Sequence, residues 1–248
     1  MRLSEAQAAE FFERGYLVVE DLFAEVELEP LRDCFTRLQS ESAGLAATTS
    51  IHRGARFVFE GPVLHRVVWA GALEPQLLDL AEDPRLLGPA SQLLGSEQVE
   101  QLLNQCHFKM PGDGVAFAWH QDSQNRHYGT PLWTDVNGRG SFVQSILAVD
   151  PTPAESGPLV VYPYSCRAGH LGLSGAEEDL PFDPSERETL LLAAGSVVFF
   201  GPYTVHGSGP NQSQRPRRVL INGYAAPGAN RFVYPGSGTG RTLHAGAS

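Results

Sequence analysis

Residues 195–224 have the sequence GSVVFFGPYTVHGSGPNQSQRPRRVLINGY, which combines two short apolar runs with a punctuated connection. The runs Ser196–Phe200 and Arg218–Tyr224 are rich in β-branched and aromatic residues, a composition typical of strands. Glycine, proline and asparagine fill the stretch between them, where turn residues are expected. The segment therefore predicts two strands, with His206 in the stretch of chain between them.

Strand-like runs continue through the C-terminal half of the chain. They cover Val99–Met110, Phe142–Val149 and Pro158–Tyr164. Because predicted helices come first and strands after, with no βαβα alternation, the order disfavours a doubly wound sheet. It predicts an α+β protein with a mainly β core, built as a β-sandwich or jelly roll with the N-terminal helices packed outside.

The N-terminal portion is predicted to be mainly helical. Ser4 and Gln7 form a capping-box pattern ahead of a helix over Glu5–Arg14. The stretch Ser40–Arg56 lacks clear periodicity and is predicted to be a loop or a mobile lid. The remaining elements predicted before residue 99 are a strand over Tyr16–Val19 and helices over Glu27–Gln39, Gln76–Ala81 and Pro84–Leu94.

No repeat or long charged linker divides the chain, so we predict a single domain over residues 1–248. Its parts would be a helical portion with a lid over 1–98, a jelly-roll core over 99–225 and a flexible tail over 235–248.

Composition restricts the class of partner. The formal net charge is −10, which disfavours nucleic acid and anionic membranes, because both require a basic surface. The three cysteines are far apart and odd in number, so neither a disulfide framework nor a zinc knuckle is expected. The N-terminus lacks the basic and apolar regions of a signal peptide. We therefore expect a cytoplasmic protein with a small-molecule partner; its oligomeric state is not predicted.

The tripeptide His120-Gln121-Asp122 predicts a metal site. On an extended segment, residues two apart project to the same face. A third ligand, His206, would complete a two-histidine, one-carboxylate triad, which holds non-haem Fe(II) and leaves positions open for oxygen chemistry. Arg217 adds a planar fork that can bind a carboxylate, which suggests a dicarboxylic cosubstrate. Taken alone, the tripeptide is more often a solvated carboxylate beside a histidine at the edge of the core, and the surrounding motifs are what favour a metal site.

Several motifs together resemble the phytanoyl-CoA dioxygenase family, over roughly residues 5 to 225. They are the opening Phe12–Val19, the tripeptide at 120–122, Ser156–Pro163, Gly195–Phe200 and His206–Asn211 with an arginine following. The resemblance implies an oxygenase that uses Fe(II), 2-oxoglutarate and O2. It also implies a double-stranded β-helix, a cupin-like variant of the jelly roll.

The resemblance assigns roles to individual residues. It implies that His120, Asp122 and His206 ligate iron and that Arg217 pairs with the distal carboxylate of 2-oxoglutarate. The presence of Asp122 disfavours a halogenase, because similar halogenases have a small residue there. Ser208 resembles a family position whose hydroxyl also reaches the cosubstrate, although a turn-forming serine is the alternative.

Two other arginines compete with Arg217. Arg218 would point to the opposite face of a strand, because neighbouring side chains alternate. Arg215 is expected in the turn before the strand. The family interval selects Arg217.

Leu103, Gln105, His107 and Lys109 share one face if Val99–Met110 is a strand. Three of these four are polar, which suggests a wet cavity, although an edge strand facing water would explain the pattern equally well. Gln105 is predicted to be a second cosubstrate contact. Lys109 is a candidate substrate contact, with closure of a turn as its alternative role.

The long loop after Asp122 is predicted to form part of the substrate pocket, since loops at the mouth of a barrel often do. Its candidate contacts are Arg126, His127 and Trp133, although a surface loop anchored by one tryptophan is an equal alternative.

We expect the enzyme to hydroxylate or oxidatively cyclise a small natural product, either amino-acid-like or sugar-containing, in secondary metabolism such as antibiotic biosynthesis. No basic cluster for a CoA phosphate is apparent from the sequence. The alternatives are a non-catalytic jelly roll and a zinc-binding hydrolase, since zinc also accepts histidine and aspartate.

Overall fold

The structure, a computed structural model, describes residues 1–234 and 240–246. Its helices are α1 (Glu5–Arg14), α2 (Glu25–Ser42), α3 (Pro75–Asp79), α4 (Pro84–Leu94) and α5 (Asp122–Asn125). Its strands are β1 (Tyr16–Val19), β2 (Ser50–His52), β3 (Ala55–Glu60), β4 (Val63–Val68), β5 (Gln98–Lys109), β6 (Phe117–His120), β7 (Phe142–Ala148), β8 (Leu159–Val161), β9 (Ser174–Gly175), β10 (Glu188–Leu190), β11 (Val197–Phe200), β12 (His206–Ser208), β13 (Arg217–Ala225) and β14 (Arg241–His244).

These strands form two antiparallel sheets. The larger follows the order β1-β11-β7-β13-β5-β4-β3-β2, and β14 also pairs with β5. The smaller follows the order β10-β8-β12-β6-β9. Neighbours in both sheets are mostly distant in sequence, so the chain crosses repeatedly between them. The α+β class with a mainly β core is confirmed.

The N-terminal helices cover one face of the larger sheet, as predicted. Helix α1 begins at the Ser4 capping box and ends before Gly15, whose φ of 88° lies in the left-handed region that glycine favours. Helix α2 buries a stripe of leucine and phenylalanine, and the ring of Phe35 lies 5.2 Å from that of Phe108 on β5. This contact joins the helical layer to the centre of the sheet.

The other face of the larger sheet is turned toward the smaller sheet. A second apolar cluster fills part of this space, with Leu103, Ile146 and Ile221 from the larger sheet and Leu159 and Val161 from the smaller one. The remaining space is a cavity lined by residues of both sheets. The two sheets therefore enclose both a core and a site.

The prediction of a loop over Ser40–Arg56 is wrong in part. Helix α2 continues to Ser42, and strands β2 and β3 then extend the larger sheet beyond β4. The reason is burial. Ala55 and Phe57 are fully buried against the helical layer, and residues two apart reach the same face only when the backbone is extended. The predicted helix over 76–81 likewise ends at Asp79 and continues as a 3-10 turn.

The prediction of a flexible tail over 235–248 is wrong for residues 240–246, while 235–239 and 247–248 lie outside the described residues. Strand β14 pairs with β5, where Arg241 is opposite Gln101. Leu243 is buried in the main core, which fixes this strand in place. No helix in the described ranges combines the length and apolarity needed to cross a bilayer.

Candidate metal centre

Three predicted ligands converge between β6, α5 and β12. His120 and His206 are directly opposed in the β6–β12 ladder, and their rings lie 4.2 Å apart. The Nε2 atom of His120 lies 4.0 Å from Oδ1 of Asp122. One ligand atom from each of the three residues lies within 4.8 Å of the other two. The spacing suits three donors arranged around one ion.

Hydrogen bonds to the backbone orient both imidazoles. His120 Nδ1 lies 2.7 Å from the carbonyl oxygen of Ala118, and His206 Nδ1 lies 2.9 Å from that of Thr204. A carbonyl only accepts, so each Nδ1 carries the hydrogen and each Nε2 keeps a lone pair for a metal. Burial, reinforced by the neighbouring His120, lowers the pKa of His206 to about 4, which keeps this ring neutral.

The carboxylate of Asp122 is aimed into the same space. Asp122 is 5% exposed, and its Oδ2 has no hydrogen-bond partner among the described residues. An orphaned buried carboxylate oxygen is costly unless a ligand satisfies it. The donor set therefore fits a divalent metal ion.

Gln121 explains how two neighbouring functional residues are held in place. It is fully buried, and its amide nitrogen donates to the carbonyl oxygens of Gly169 and Tyr203 at 2.9 and 2.7 Å. The tripeptide does not stay extended as predicted, because Asp122 is the first residue of α5. The side chains of His120 and Asp122 nevertheless face the same centre.

Arg217 lies in the cavity with its guanidinium unpaired. It is 5% exposed, lines the cavity, and has no ion pair or hydrogen bond to a described side chain, while its Nε is an orphaned donor. Burial lowers its pKa to about 10, so it remains cationic at neutral pH. Arg218 points to the opposite face and pairs with Asp150 at 2.7 Å, and Arg215 is exposed. Arg217 and Arg218 therefore face opposite sides of β13, as the alternation of strand side chains predicts.

Ser208 and Gln105 both line the cavity, which keeps them available for the roles predicted for them. Lys109, in contrast, is fully buried and outside the lining, so its prediction as a substrate contact is wrong. Its Nζ lies 2.7 Å from Ser208 Oγ and donates to the Gly157 carbonyl at 3.1 Å, and it also reaches the Gly209 carbonyl. Lys109 therefore fastens two loops to the sheet.

The predicted substrate loop contributes one of its three candidates. Arg126 lines the cavity and is 6% exposed. Trp133 is wrong as a substrate contact, because it stacks on Tyr128 with ring centroids 4.7 Å apart inside an apolar cluster. His127 is also wrong: its ring packs on Phe232 at 4.2 Å, outside the cavity lining.

Two cationic residues of the cavity wall were not predicted from the sequence. The cavity has a volume of about 290 Å³, and Arg56 on β3 and Arg66 on β4 form part of its wall. The signal was the alternation in 55–60 and 63–68, which places every second residue on one face of a strand. The prediction of a loop or lid over 40–56 included the start of β3, so the alternation there was not interpreted as a strand.

Comparison with known proteins agrees with this geometry. The model of the phytanoyl-CoA dioxygenase family matches residues 11–219. An ectoine dioxygenase from Bordetella bronchiseptica is 30% identical, with 90% of this chain and 75% of that protein covered. A probable alpha-ketoglutarate-dependent hypophosphite dioxygenase from Stutzerimonas stutzeri is 26% identical, with coverage of 90% and 79%.

The crystal structure of EctD from S. alaskensis with 2-oxoglutarate and 5-hydroxyectoine is also similar. It superposes with a TM-score of 0.74 at 26% identity, covering 94% of this chain and 79% of that one. The similarity thus extends over nearly the whole chain, in both sequence and fold. The chain belongs to the phytanoyl-CoA dioxygenase family.

Proposed function

We propose that this protein is an Fe(II)- and 2-oxoglutarate-dependent oxygenase that hydroxylates or oxidatively cyclises a small molecule. The observation that carries the proposal is the convergence of His120, Asp122 and His206 in one cavity with the unpaired guanidinium of Arg217. A ligand set for a metal and a fork for a diacid are the two features that such an enzyme requires. The alpha-ketoglutarate-dependent relative and the EctD complex with 2-oxoglutarate support it.

In this proposal, His120, Asp122 and His206 hold the ferrous ion through two Nε2 atoms and a carboxylate oxygen. The bound ion supplies oxygen activation coupled to the decarboxylation of 2-oxoglutarate to succinate. Arg217 holds the distal carboxylate of the cosubstrate with two parallel donors. Ser208 and Gln105, which line the same cavity, contribute further polar contacts to it.

The protein's own contribution is positioning and exclusion of water. Leu103, Ile146 and Leu159 form an apolar wall of the cavity, which keeps bulk water away from the reacting atoms. Two facing antiparallel sheets with the ligands at one end support the double-stranded β-helix, or jelly roll, as the core architecture. The cytoplasmic location and the single-domain organisation remain predictions.

The substrate we propose is a small metabolite, amino-acid-like or sugar-containing, as in natural-product tailoring. A cavity of about 290 Å³ must also admit 2-oxoglutarate, so the space left suits a compact molecule and not a long acyl chain. The ectoine dioxygenase relative is named for a small-molecule substrate, which supports this size class.

Succinate formation tests the function. Wild-type protein reconstituted with Fe(II) should convert 2-oxoglutarate to succinate in air above the level of metal-free protein. His206→Ala should abolish this conversion, because a ligand is lost, whereas His244→Ala, which removes an exposed histidine on β14, should not change it. Metal binding without any succinate would instead favour a zinc-binding or non-catalytic relative.

A further inference from the structure

Three arginines besides Arg217 line the cavity, and none of them has a counter-ion among the described residues. Arg56, Arg66 and Arg126 form no ion pair with a carboxylate of the described residues. Arginines elsewhere usually do, as Arg85 does with Glu27 at 2.8 Å. A guanidinium removed from water normally acquires an anionic partner. Arg66 Nη1 donates to Nδ1 of His65 at 2.9 Å, but a neutral imidazole supplies no counter-charge. All three arginines therefore remain available for an anion that enters from solution.

Strand register places two of the arginines on one wall. Arg66 is opposite His107 on β5 and Val58 on β3, and Arg56 is opposite Val68. Partners in a ladder share a face, so both guanidiniums belong to the cavity side of the sheet. Burial, and then the charge of Arg56, lower the pKa of Arg66. Two like charges held together in a half-buried wall are stabilised when an anion lies between them.

Arg126 approaches from another part of the cavity wall, at the end of α5. It is 6% exposed, and its Nε is a buried donor with no partner among the described residues. Its guanidinium carbon lies 5.2 Å from the centre of the Phe142 ring and 5.0 Å from that of Tyr234. Its Nη1 donates to the Asn125 carbonyl oxygen at 3.3 Å. Aromatic faces hold the guanidinium plane in position without occupying the remaining donors, which stay available for a ligand.

The cosubstrate does not account for these charges. Asp122 is the one carboxylate in the described lining, and with the two charges of 2-oxoglutarate it balances a ferrous ion and Arg217. Both carboxylates of 2-oxoglutarate are then engaged, one beside the metal and one at Arg217. The strand of Arg66 lies two sheet spacings, about 10 Å, from the strand of Arg217. Three positive charges therefore remain, in a chain whose net charge is −10.

We propose that the substrate is an oxyanion, carrying a carboxylate, phosphate or phosphonate group that Arg56, Arg66 and Arg126 bind. This inference rests on the proposed function and narrows its substrate class. The anionic group lies against the arginine wall, and the hydrocarbon part lies against Leu103 and Ile146. The guanidinium forks supply paired donors that match two oxygens of such a group.

Calorimetric binding tests the inference without turnover. The protein is loaded with Mn(II) and 2-oxoglutarate and titrated with methylphosphonate, inorganic phosphate, phosphite and L-proline, and separately with the uncharged dimethyl ester of methylphosphonate. At least one oxyanion should bind, more weakly at high salt, and the uncharged ester should not. The double variant Arg56→Gln/Arg66→Gln should weaken oxyanion binding at least tenfold and leave 2-oxoglutarate affinity within twofold.

Arg53→Gln is the matched control, because Arg53 precedes β3 in the same hairpin but is exposed and faces Glu41. It should leave every affinity unchanged.

If no oxyanion binds while 2-oxoglutarate does, the inference is overturned and the proposed function stands. If the double variant weakens 2-oxoglutarate and not the oxyanion, these arginines belong to the cosubstrate site and the inference is again overturned. If wild-type protein binds neither Mn(II) nor 2-oxoglutarate, the proposed function itself fails. Preference between phosphonate and carboxylate probes identifies the source of the oxyanion.

Discussion

Lys109 and Arg217 are directly opposed partners in the β5–β13 ladder, yet their basic groups have different surroundings. The amino group of Lys109 is fully buried and contacts Ser208 and two loop carbonyls. The guanidinium of Arg217 has no partner among the described side chains and lines the cavity. The Lys109 amino group, whose pKa burial lowers to about 6, thus holds the wall together, and the neighbouring guanidinium is left for a ligand.

Replacing Lys109 with methionine tests this structural role. Lys109→Met keeps a side chain of similar length but leaves the carbonyl oxygens of Gly157 and Gly209 without a hydrogen-bond donor. An unsatisfied buried group costs about 1–3 kcal/mol, so the free energy of unfolding in urea should fall by at least that amount. Arg215→Met, which removes an exposed cation nearby, should change it by less than about 0.5 kcal/mol. Equal stability of Lys109→Met and wild type would contradict the role.

Arg217→Lys should weaken 2-oxoglutarate binding at least tenfold, because a point charge replaces a two-donor fork. Calorimetry on the Mn(II)-loaded protein measures the dissociation constant directly. Arg218→Lys is the control, since Arg218 lies on the other face of β13 and pairs with Asp150. An unchanged constant for Arg217→Lys would transfer the role to another cation.

Gly157→Ala should disturb the loop that Lys109 holds. Gly157 has a φ of +68°, and an added Cβ would lie 2.3 Å from the Gly209 carbonyl oxygen and 2.7 Å from that of Pro210. Gly112 has a φ of +69° but open space around it, so Gly112→Ala measures the cost of the backbone conformation alone, about 1–2 kcal/mol. Unfolding in urea should show a larger loss for Gly157→Ala by about 1–3 kcal/mol. Equal losses of unfolding free energy in the two variants would show that the loop around Gly209 moves to accommodate the added Cβ.

His107 predicts a specific pH dependence of stability. Burial, followed by the charges of Arg66 and other neighbouring groups, lowers its pKa well below the usual value of about 6.5. Below pH 6.5 the imidazole of His107 is protonated in the unfolded chain but stays neutral in the folded chain. The free energy of unfolding therefore falls with falling pH. From pH 7.5 to 5.5 this group should contribute a loss of about 1.4 kcal/mol.

The variant His107→Gln should lack that contribution. Urea unfolding of both proteins at pH 7.5 and 5.5 gives the difference, from which the other titrating groups cancel. An identical fall with pH in variant and wild type would mean that His107 is protonated equally in both states.

Local sequence signals predicted some elements closely. The Ser4 capping box and Gly15 gave the bounds of α1, because caps are formed by neighbours in sequence. The alternation of side chains along β5 placed Gln105 on the cavity wall. The same alternation along β13 placed Arg217 and Arg218 on opposite faces.

What failed depended on contacts between distant segments. Lys109 lies on the same face of β5 as the cavity residues, but the loops around Gly157 and Gly209 cover it. Trp133 lies in a loop, yet Tyr128 and Phe142 enclose it in an apolar cluster. Such coverage is decided by tertiary packing, which a single sequence does not display.

The most direct test of the metal centre is an anaerobic titration of the protein with Fe(II) and 2-oxoglutarate, monitored in the visible range. The wild-type protein should develop a charge-transfer band that saturates at one equivalent of iron, and His120→Ala should lose it. Absence of the band in wild type, or its persistence in His120→Ala, would contradict a ferrous site built from His120, Asp122 and His206.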